Sequence, residues 1–203
     1  MKRLIAATLI ALPLAGFAAT DDNLLVNGSF ESNVLRNGTW ANFGSIDGWT
    51  VGNKGVEVRD NISGSALDGQ NFVELDSTGN SSISQSFATV AGYTYELSFS
   101  YANRPDNRGA ASNGISWSVG SLSGTVGQNT STSWATYTTT FVGTGDVMTL
   151  SFAGIGRSDS YGTSLDNVSV SVISTVPEPQ SYALMLAGLG TVTLLSRRRR
   201  RNT

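Results

Sequence analysis

The sequence predicts an all-β fold, a jelly-roll β-sandwich, flanked by an address segment at each end of the chain. Between residues 19 and 175, short runs alternate apolar and polar residues and are rich in Thr, Ser, Tyr, Val and Phe. Gly, Asn and Asp separate these runs, as expected for half-buried strands joined by tight turns. About ten such runs fit a double sheet, and none of them has a helical period.

Residues 1–18 are predicted to form a secretory signal peptide. Lys2 and Arg3 give a positive start, an uncharged apolar run covers Leu4–Phe17, and Gly16-Phe17-Ala18 offers small residues for cleavage after Ala18. The alternative is a short membrane anchor. A run of 14 residues is shorter than the ~20 that a spanning helix requires, so cleavage is the preferred interpretation.

Residues 19–175 are predicted to form one β-sandwich domain. Its clearest strand is Tyr93–Tyr101, where Tyr, Leu and Phe share one parity and Thr, Glu and Ser take the other, which indicates one buried face. Ser82–Phe87 alternates in the same way. The other predicted strands are Leu24–Phe30, Trp49–Val51, Val56–Val58, Phe72–Leu75, Ile115–Val119, Thr136–Phe141, Val147–Phe152 and Leu165–Val172.

The composition excludes several kinds of chemistry. The chain has 203 residues and contains no histidine and no cysteine. It therefore has no Ser-His-Asp or Cys-His nucleophile, no imidazole or thiolate metal ligand, and no disulfide. Residues 19–175 hold 14 acidic and 6 basic side chains, so this body carries −8 although the whole chain carries only −2. Because the body has no basic patch, nucleic-acid binding is disfavoured.

Residues 176–203 combine three features in a fixed order. Val176-Pro177-Glu178-Pro179 is stiff and extended, because each proline fixes its own φ and restricts the residue before it. The uncharged, mostly apolar residues 181–196 follow and are predicted to form a single transmembrane helix. The basic cluster that should keep the end of this helix in the cytoplasm consists of Arg197, Arg198, Arg199, Arg200 and Arg201.

This tail resembles the PEP-CTERM sorting signal of Gram-negative bacteria. The resemblance implies that a membrane protease of the exosortase type reads the Pro-Glu-Pro motif and removes the tail near Pro177–Pro179. It also implies an inner-membrane intermediate, followed by delivery to the cell surface, the outer membrane or the extracellular matrix. The alternative is a permanent C-terminal anchor that is not processed.

Seven short motifs follow one another along the body. They are NLLVNGSFE at 23–31, GWTV at 48–51, VEV at 56–58, GQNFVEL at 69–75, ISQSF at 83–87, GYTYELSF at 92–99 and LDNVSV at 165–170. In this order they resemble the galactose-binding-like jelly roll, in particular domain-of-unknown-function family 642 and the carbohydrate-binding modules. The resemblance implies a jelly-roll fold and a polysaccharide partner.

Two carboxylates near the ends of the body are candidates for a structural calcium site. Asp166 shares the parity of Val168 and Val170, which predicts that it points to the interior and needs a partner there. The resemblance implies that Glu31 and Asp166 are Ca²⁺ ligands, with Asn27 as a weaker candidate. The alternative is that Asp166 caps a turn and Glu31 is solvated.

Aromatic side chains are the candidate sugar contacts, because their faces stack on sugar rings. Trp49 and Trp134 are expected in the core, whereas Trp40 lies in a polar loop and Trp117 lies among serines. The end of the long predicted strand adds polar groups that could meet sugar hydroxyls. The predicted ligand-binding residues are Trp40, Tyr101, Asn103, Arg104 and Trp117.

The sequence therefore favours an exported, non-catalytic protein that binds polysaccharide. A structural or adhesive matrix protein without a defined sugar site is the competing class. A glycoside hydrolase is third, because it needs a pair of carboxylates. No sequence feature isolates a pair among the available acids Glu57, Asp60, Glu74, Asp76 and Glu96.

Overall fold

The computed structural model describes residues 23–106, 108–174 and 187–189. The described part contains eleven strands, one short 3-10 helix, Ala110–Ser112, and a helical stretch at 187–189. The strands are β1 (Trp40–Phe43), β2 (Thr50–Val51), β3 (Val56–Asp60), β4 (Asn71–Glu74), β5 (Ser82–Ala88), β6 (Thr94–Asn103), β7 (Ile115–Val119), β8 (Leu122–Val126), β9 (Ala135–Val142), β10 (Val147–Gly154) and β11 (Thr163–Ser174).

The strands form two sheets that enclose one core. The six-stranded sheet has the order β1-β3-β4-β11-β6-β9, and the five-stranded sheet has the order β2-β5-β10-β7-β8. Every strand pair is antiparallel. The predicted all-β, two-sheet sandwich is confirmed.

Alternation along the strands supplies the core. In β6, Tyr95, Leu97 and Phe99 are buried, as the parity of the sequence predicts. The ring of Phe99 lies 4.9 Å from that of Phe152 on β10 and 5.3 Å from that of Tyr137 on β9, so it packs between the two sheets. Each such buried aromatic side chain contributes a few kcal/mol through the apolar area that it removes from water.

The predicted first strand, Leu24–Phe30, is not a strand in the structure. Asn27 and Phe30 have φ angles of 55° and 61°, which break an extended backbone into turns. The segment nevertheless lies beside β11, since Leu24 N–H donates to Val170 O (2.8 Å) and Val168 N–H donates to Gly28 O (2.9 Å). Two strands, β1 and β8, were not predicted.

The predicted inward direction of Asp166 is also wrong. The β11–β6 register shifts between Asp166 and Ser169, and Asn167 adopts a φ of 49°. This bulge reverses the alternation, so Asp166 pairs with Ser100 on the outer side of the sheet while Val168 and Val170 remain in the core. A segment between β3 and β4 covers Asp166, which is why its side chain is still fully buried.

The predictions on the two chain ends lie largely outside the described residues. These are the signal peptide (1–18), the sorting motif (Val176–Pro179) and the arginine cluster (197–201). Of the predicted helix at 181–196, residues 187–189 are described and are helical. Within the part of the chain that the structure describes, no helix has the length and apolar character needed to cross a bilayer.

Candidate functional site

The two tryptophans that the sequence favours as sugar contacts have opposite environments. Trp40 lies on the edge strand β1 and is 53% exposed. Trp117 is only 4% exposed, because its parity on β7 turns it into the core, where its ring lies 5.0 Å from that of Tyr137. The prediction that Trp117 stacks on a ligand is therefore corrected: its side chain is part of the core.

The polar end of β6 is occupied by internal contacts. Asn103 is 2% exposed, donates to Asn129 O (3.0 Å) and accepts from the hydroxyl of Thr163 (2.6 Å). Tyr101 packs partly buried against the core. Arg104 makes a bidentate pair with Asp106, at 2.7 and 3.0 Å.

The predicted ligand-binding residues do not converge on one surface. Trp40 stands at one edge of the six-stranded sheet, and β6 is four strands away, a distance of about 19 Å. Trp117 belongs to the other sheet and faces the core. Of the set, Trp40 alone has an exposed ring.

Glu31 and Asp166 both bind the segment between β3 and β4. Oε1 of Glu31 accepts from the backbone N–H groups of Gln70 (2.9 Å) and Asn71 (2.7 Å). Oδ2 of Asp166 accepts from the N–H groups of Leu67 (2.8 Å) and Asp68 (3.0 Å). The two carboxylates therefore fasten one segment to the sandwich from two sides. Burial raises the pKa of Asp166 to about 6 against the opposing effect of these donors.

These donors fit a calcium site only in part. N–H groups occupy Oε1 of Glu31 and Oδ2 of Asp166, and Oδ1 of Asp166 accepts from Asn167 N–H (2.7 Å). The amide oxygen of Asn27 accepts from Ser32 N–H (3.1 Å). Residues 23–106, 108–174 and 187–189 contain no group of three or more acidic side chains placed to hold a metal ion.

A buried charge network lies on the outer side of the six-stranded sheet. Arg59 is 1% exposed; its Nε lies 2.5 Å from Oε1 of Glu57, and its Nη2 lies 2.7 Å from Oε2 of Glu74. Arg104 Nη1 lies 3.5 Å from the same Glu74 oxygen, and Gly162 N–H donates to the other (2.9 Å). Burial raises the pKa of Glu74 to about 7, against the lowering effect of Arg59 and Arg104.

Strand pairing thus brings together two carboxylates that the sequence did not isolate. Glu57 and Glu74 are direct cross-strand partners on β3 and β4. Arg59 lies between them, and both are buried. A small cavity beside Arg104 and Trp134 has a volume of about 30 Å³, which suits a water molecule and not a sugar ring. The network is suited to holding strands together.

The outer side of the five-stranded sheet has a different character, and we call it the hydroxyl face. Its outward positions carry no charged side chain, and the three that lack a hydroxyl are Ala88, Val147 and Ala153. The others are Thr50, Ser82, Ser84, Ser86, Ser116, Ser118, Ser123, Thr125, Thr149 and Ser151.

The register of the five strands aligns half of these hydroxyls in one row. The row runs in the order Thr50, Ser84, Ser151, Ser118, Ser123, with each residue paired to the next on the adjacent strand. At about 4.8 Å per strand, it is about 19 Å long. The described residues provide no hydrogen-bond partner for any of these five hydroxyls, so the whole row is free to bond outward.

A shallow open depression lies over one half of the hydroxyl face. Its volume is about 400 Å³, which is within the size range of small-ligand sites. Its lining is formed by Ser116, Trp117, Ser118, Ser123, Gly124, Thr125, Ser151 and Ala153. The serine alternation of single strands was visible in the sequence. The alignment of these hydroxyls into a row was not visible in the sequence, because it depends on which strands are neighbours in the sheet.

Comparisons with solved structures define the class of the fold, a jelly-roll β-sandwich of the carbohydrate-binding-module type. The chain is similar to TmCBM61, solved with β-1,4-galactotriose, with 19% identity, a TM-score of 0.54, and coverage of 75% of this chain and 99% of that one. It is also similar to a family 16 carbohydrate-binding module, with 16% identity, a TM-score of 0.50 and coverage of 73% and 99%. The tandem CBM22 domain of Paenibacillus barcinonensis Xyn10C gives 16% identity, a TM-score of 0.50 and coverage of 81% and 49%.

The family follows from the sequence itself. Residues 23–171 match the model of the DUF642 family, described as a protein of unknown function, and the chain belongs to that family. Residues 175–201 match the PEP-CTERM protein-sorting motif. No curated protein matches the sequence significantly.

Proposed function

We propose that this is an exported, non-catalytic protein that binds an uncharged polysaccharide through its hydroxyl face. The row of five unpartnered hydroxyls from Thr50 to Ser123 carries this proposal. The PEP-CTERM motif supports export, and the carbohydrate-binding-module fold supports a glycan as the ligand.

The chemistry of the hydroxyl face suits a neutral glycan. Serine and threonine hydroxyls both donate and accept hydrogen bonds, as sugar hydroxyls do. The face lacks the arginines and lysines that would bind a polyuronate or a sulfated polymer. Each contact is worth only about 0.5–1.5 kcal/mol, so binding requires that several hydroxyls of the row bond to the same polymer chain.

The proposed route to the surface follows the sorting motif. The apolar residues 181–196 hold the exported body at the inner membrane, and an exosortase-type protease reads Val176–Pro179 and releases the body. The released domain then reaches the cell surface, the outer membrane or the extracellular matrix.

A charge placed in the hydroxyl row tests the binding site. Ser84→Glu and Ser118→Glu should each reduce retention on insoluble neutral glucan, galactan or xylan by at least about tenfold, because an unpaired carboxylate must be desolvated against the ligand. Co-sedimentation of the purified protein with each polymer measures this. Thr138→Glu places the same charge on an exposed strand position of the other sheet, and it should bind as the parent does.

Two results would contradict this site. Unchanged retention of Ser84→Glu and Ser118→Glu, combined with its loss in Trp40→Ala, would transfer the site to the exposed ring on β1. No retention of the parent on any neutral polymer would favour the competing class, a matrix protein whose role is bulk and adhesion.

We also propose that Glu31 and Asp166 hold a structural Ca²⁺. The support is that both carboxylates reach the same segment and that Oε2 of Glu31 accepts no hydrogen bond from the described residues. Adding Ca²⁺ to the chelator-treated protein should raise its thermal midpoint by several degrees, because a ligand that binds only the native state stabilises it. Glu31→Gln should abolish the rise, and a parent midpoint that does not respond would refute the site.

A further inference from the structure

Four large aliphatic side chains are exposed at one end of the sandwich. Val90, Val142, Val147 and Ile173 are 52%, 59%, 68% and 49% exposed. We call this set the apolar rim. Aliphatic side chains scattered singly on a surface need no explanation, whereas contiguous exposed apolar patches mark interaction surfaces.

Strand register places the four residues around the same end. Val142 pairs with Thr94, and Thr94 pairs on its other side with Ser174, the neighbour of Ile173. Val147 pairs with Ala88 at the end of β5, two residues before Val90. Gly143 N–H donates to Tyr93 O (2.8 Å) and Gly92 N–H donates to Gly143 O (3.0 Å), which joins the two turns that carry the valines.

The basic side chains in the described part of the chain lie away from the rim, and exposed Arg36 is in the segment before β1, at the sheet edge opposite to β9. Arg104, Arg108 and Arg157 lie in loops at the opposite end, and Arg59 is buried. The backbone oxygen of Lys54 accepts from Ser77 and Thr78, in the segment that leads into the far end of β5. The turn between Val142 and Val147 contributes one charge, Asp146. Glu96 adds a second acidic side chain, two residues along β6 from Thr94.

The chain leaves the sandwich at this end. β11 finishes at Ser174, and only residues 175–180 separate it from the apolar run that begins at Ser181. Fully extended, these seven steps span at most about 25 Å. A body that is still joined to an inserted tail therefore keeps the apolar rim within about 25 Å of the membrane surface.

We propose that the apolar rim rests on the outer surface of the lipid bilayer while the tail is in place. This inference relies on the membrane-held intermediate of the proposed function. The tether supplies a high effective concentration, so that four aliphatic side chains suffice for a contact that they would not hold alone. Once the tail is removed, the contact loses its tether and the domain is released.

Seated in this way, the strands stand roughly upright on the membrane. The opposite end, with Arg108 and Arg157, points away from the bilayer. The hydroxyl face is then turned sideways and stays open to polymer even before release.

The absence of cysteine makes the test direct, since a single introduced cysteine can be labelled without background. Val142→Cys and Val147→Cys would be labelled with an environment-sensitive fluorophore in the full chain and reconstituted into phosphatidylcholine vesicles that carry a quencher near the headgroup. Thr130→Cys, exposed in the loop between β8 and β9 at the opposite end, is the matched control. Leu189→Cys, measured in matched vesicles whose quencher is attached to the acyl chain, reports whether the tail has inserted.

The expected result is quenching at residues 142 and 147 that exceeds quenching at residue 130 by at least about twofold, together with strong quenching at residue 189. In a Val90→Asp/Val147→Asp background, quenching at residue 142 should fall to the level of residue 130 while residue 189 is unaffected.

Three results would overturn the proposal. Strong quenching at residue 189, combined with quenching at residues 142 and 147 that is no greater than at residue 130, would show that the tail is inserted and that the rim stays in water. Shielding of residue 142 that appears without vesicles and grows with protein concentration would assign the rim to a second copy of the chain. No quenching at residue 189 would refute the inserted intermediate itself and remove the tether that the rim requires.

Discussion

Replacing Arg59 by methionine should lower the free energy of unfolding by about 3–5 kcal/mol. The substitution keeps most of the apolar stem but leaves Glu57 and Glu74 facing each other across β3 and β4 without the cation between them. An uncompensated buried charge is among the few single defects that cost this much. Equilibrium unfolding in urea, followed by tryptophan fluorescence, measures the loss.

The loss should depend on pH in a defined direction. Burial already raises the pKa of Glu74 from 4.5 to about 7, and without Arg59 it should rise further. Folding raises the pKa of this carboxyl group. Its contribution to stability is complete when the pH is below its pKa in the unfolded chain, 4.5. The contribution is lost as the pH rises through its pKa in the folded protein. The variant should therefore be closer to the parent at pH 5 than at pH 8.

Two further variants separate this effect from a general loss of packing. Arg36→Met removes an exposed arginine and should change stability by less than about 0.5 kcal/mol. Adding Glu57→Gln and Glu74→Gln to Arg59→Met should restore much of the lost stability, because the buried charges are then gone. A loss below about 1 kcal/mol in the single variant would show that Arg59 does not neutralise the two acids.

Trp117→Ala should cost about 3–5 kcal/mol. Its indole contacts the rings of Tyr137 and Phe99, with centroid distances of 5.0 and 6.2 Å, and lies beneath Gly124 of β8. Truncation would leave a cavity between the two sheets. The midpoint of urea unfolding and the near-ultraviolet dichroism of the aromatic core both report this change.

Trp117→Phe is the informative companion variant. Nε1 of Trp117 is buried and has no hydrogen-bond partner among the described residues, so phenylalanine removes an unsatisfied donor while keeping most of the ring volume. It should cost clearly less than alanine. Trp40→Ala, at an exposed position, should leave stability within about 0.5 kcal/mol. Equal midpoints for Trp117→Ala and the parent would contradict the assignment of Trp117 to the core.

These variants also guard against a false assignment of the binding site. Trp117 is in the core and also lines the depression on the hydroxyl face, so a loss of polysaccharide binding in Trp117→Ala does not by itself identify a stacking contact. Binding assays on tryptophan variants therefore need a stability measurement beside each value. The hydroxyl-face variants avoid this difficulty, since Ser84 and Ser118 point away from the core.

The sequence was sufficient for the fold class because local alternation determines which strand face is buried. In Tyr93–Tyr101 the parity of five aromatic and aliphatic residues placed Leu97 and Phe99 correctly in the core. The same rule failed at Asp166, where a bulge at Asn167 reverses the alternation. A single residue in a left-handed conformation is enough for this, and composition alone does not reveal it.

The candidate site was less predictable, for a related reason. Trp117 lies among serines, and this polar context favoured a surface position in the sequence analysis. In the structure, those serines point outward from β7 and the side chain of Trp117, which alternates with them, points inward. The hydroxyl row joins residues as distant in sequence as Thr50 and Ser151, and their alignment follows from pairing between strands. Period and spacing along the chain carry no information about that pairing.

The central place of β11 gives the domain a mechanical property. β11 has 12 residues, lies between β4 and β6, and is the strand from which the tail extends. Tension applied through the tail would pull along β11 and load its backbone hydrogen bonds to the neighbouring strands in shear. Many of these bonds must then break together, whereas the bonds of an edge strand can break one at a time. Backbone bonds from the 24–28 segment to Val168 and Val170 brace the same strand. The connection to the tail is thus made at a point where the sheet resists pulling.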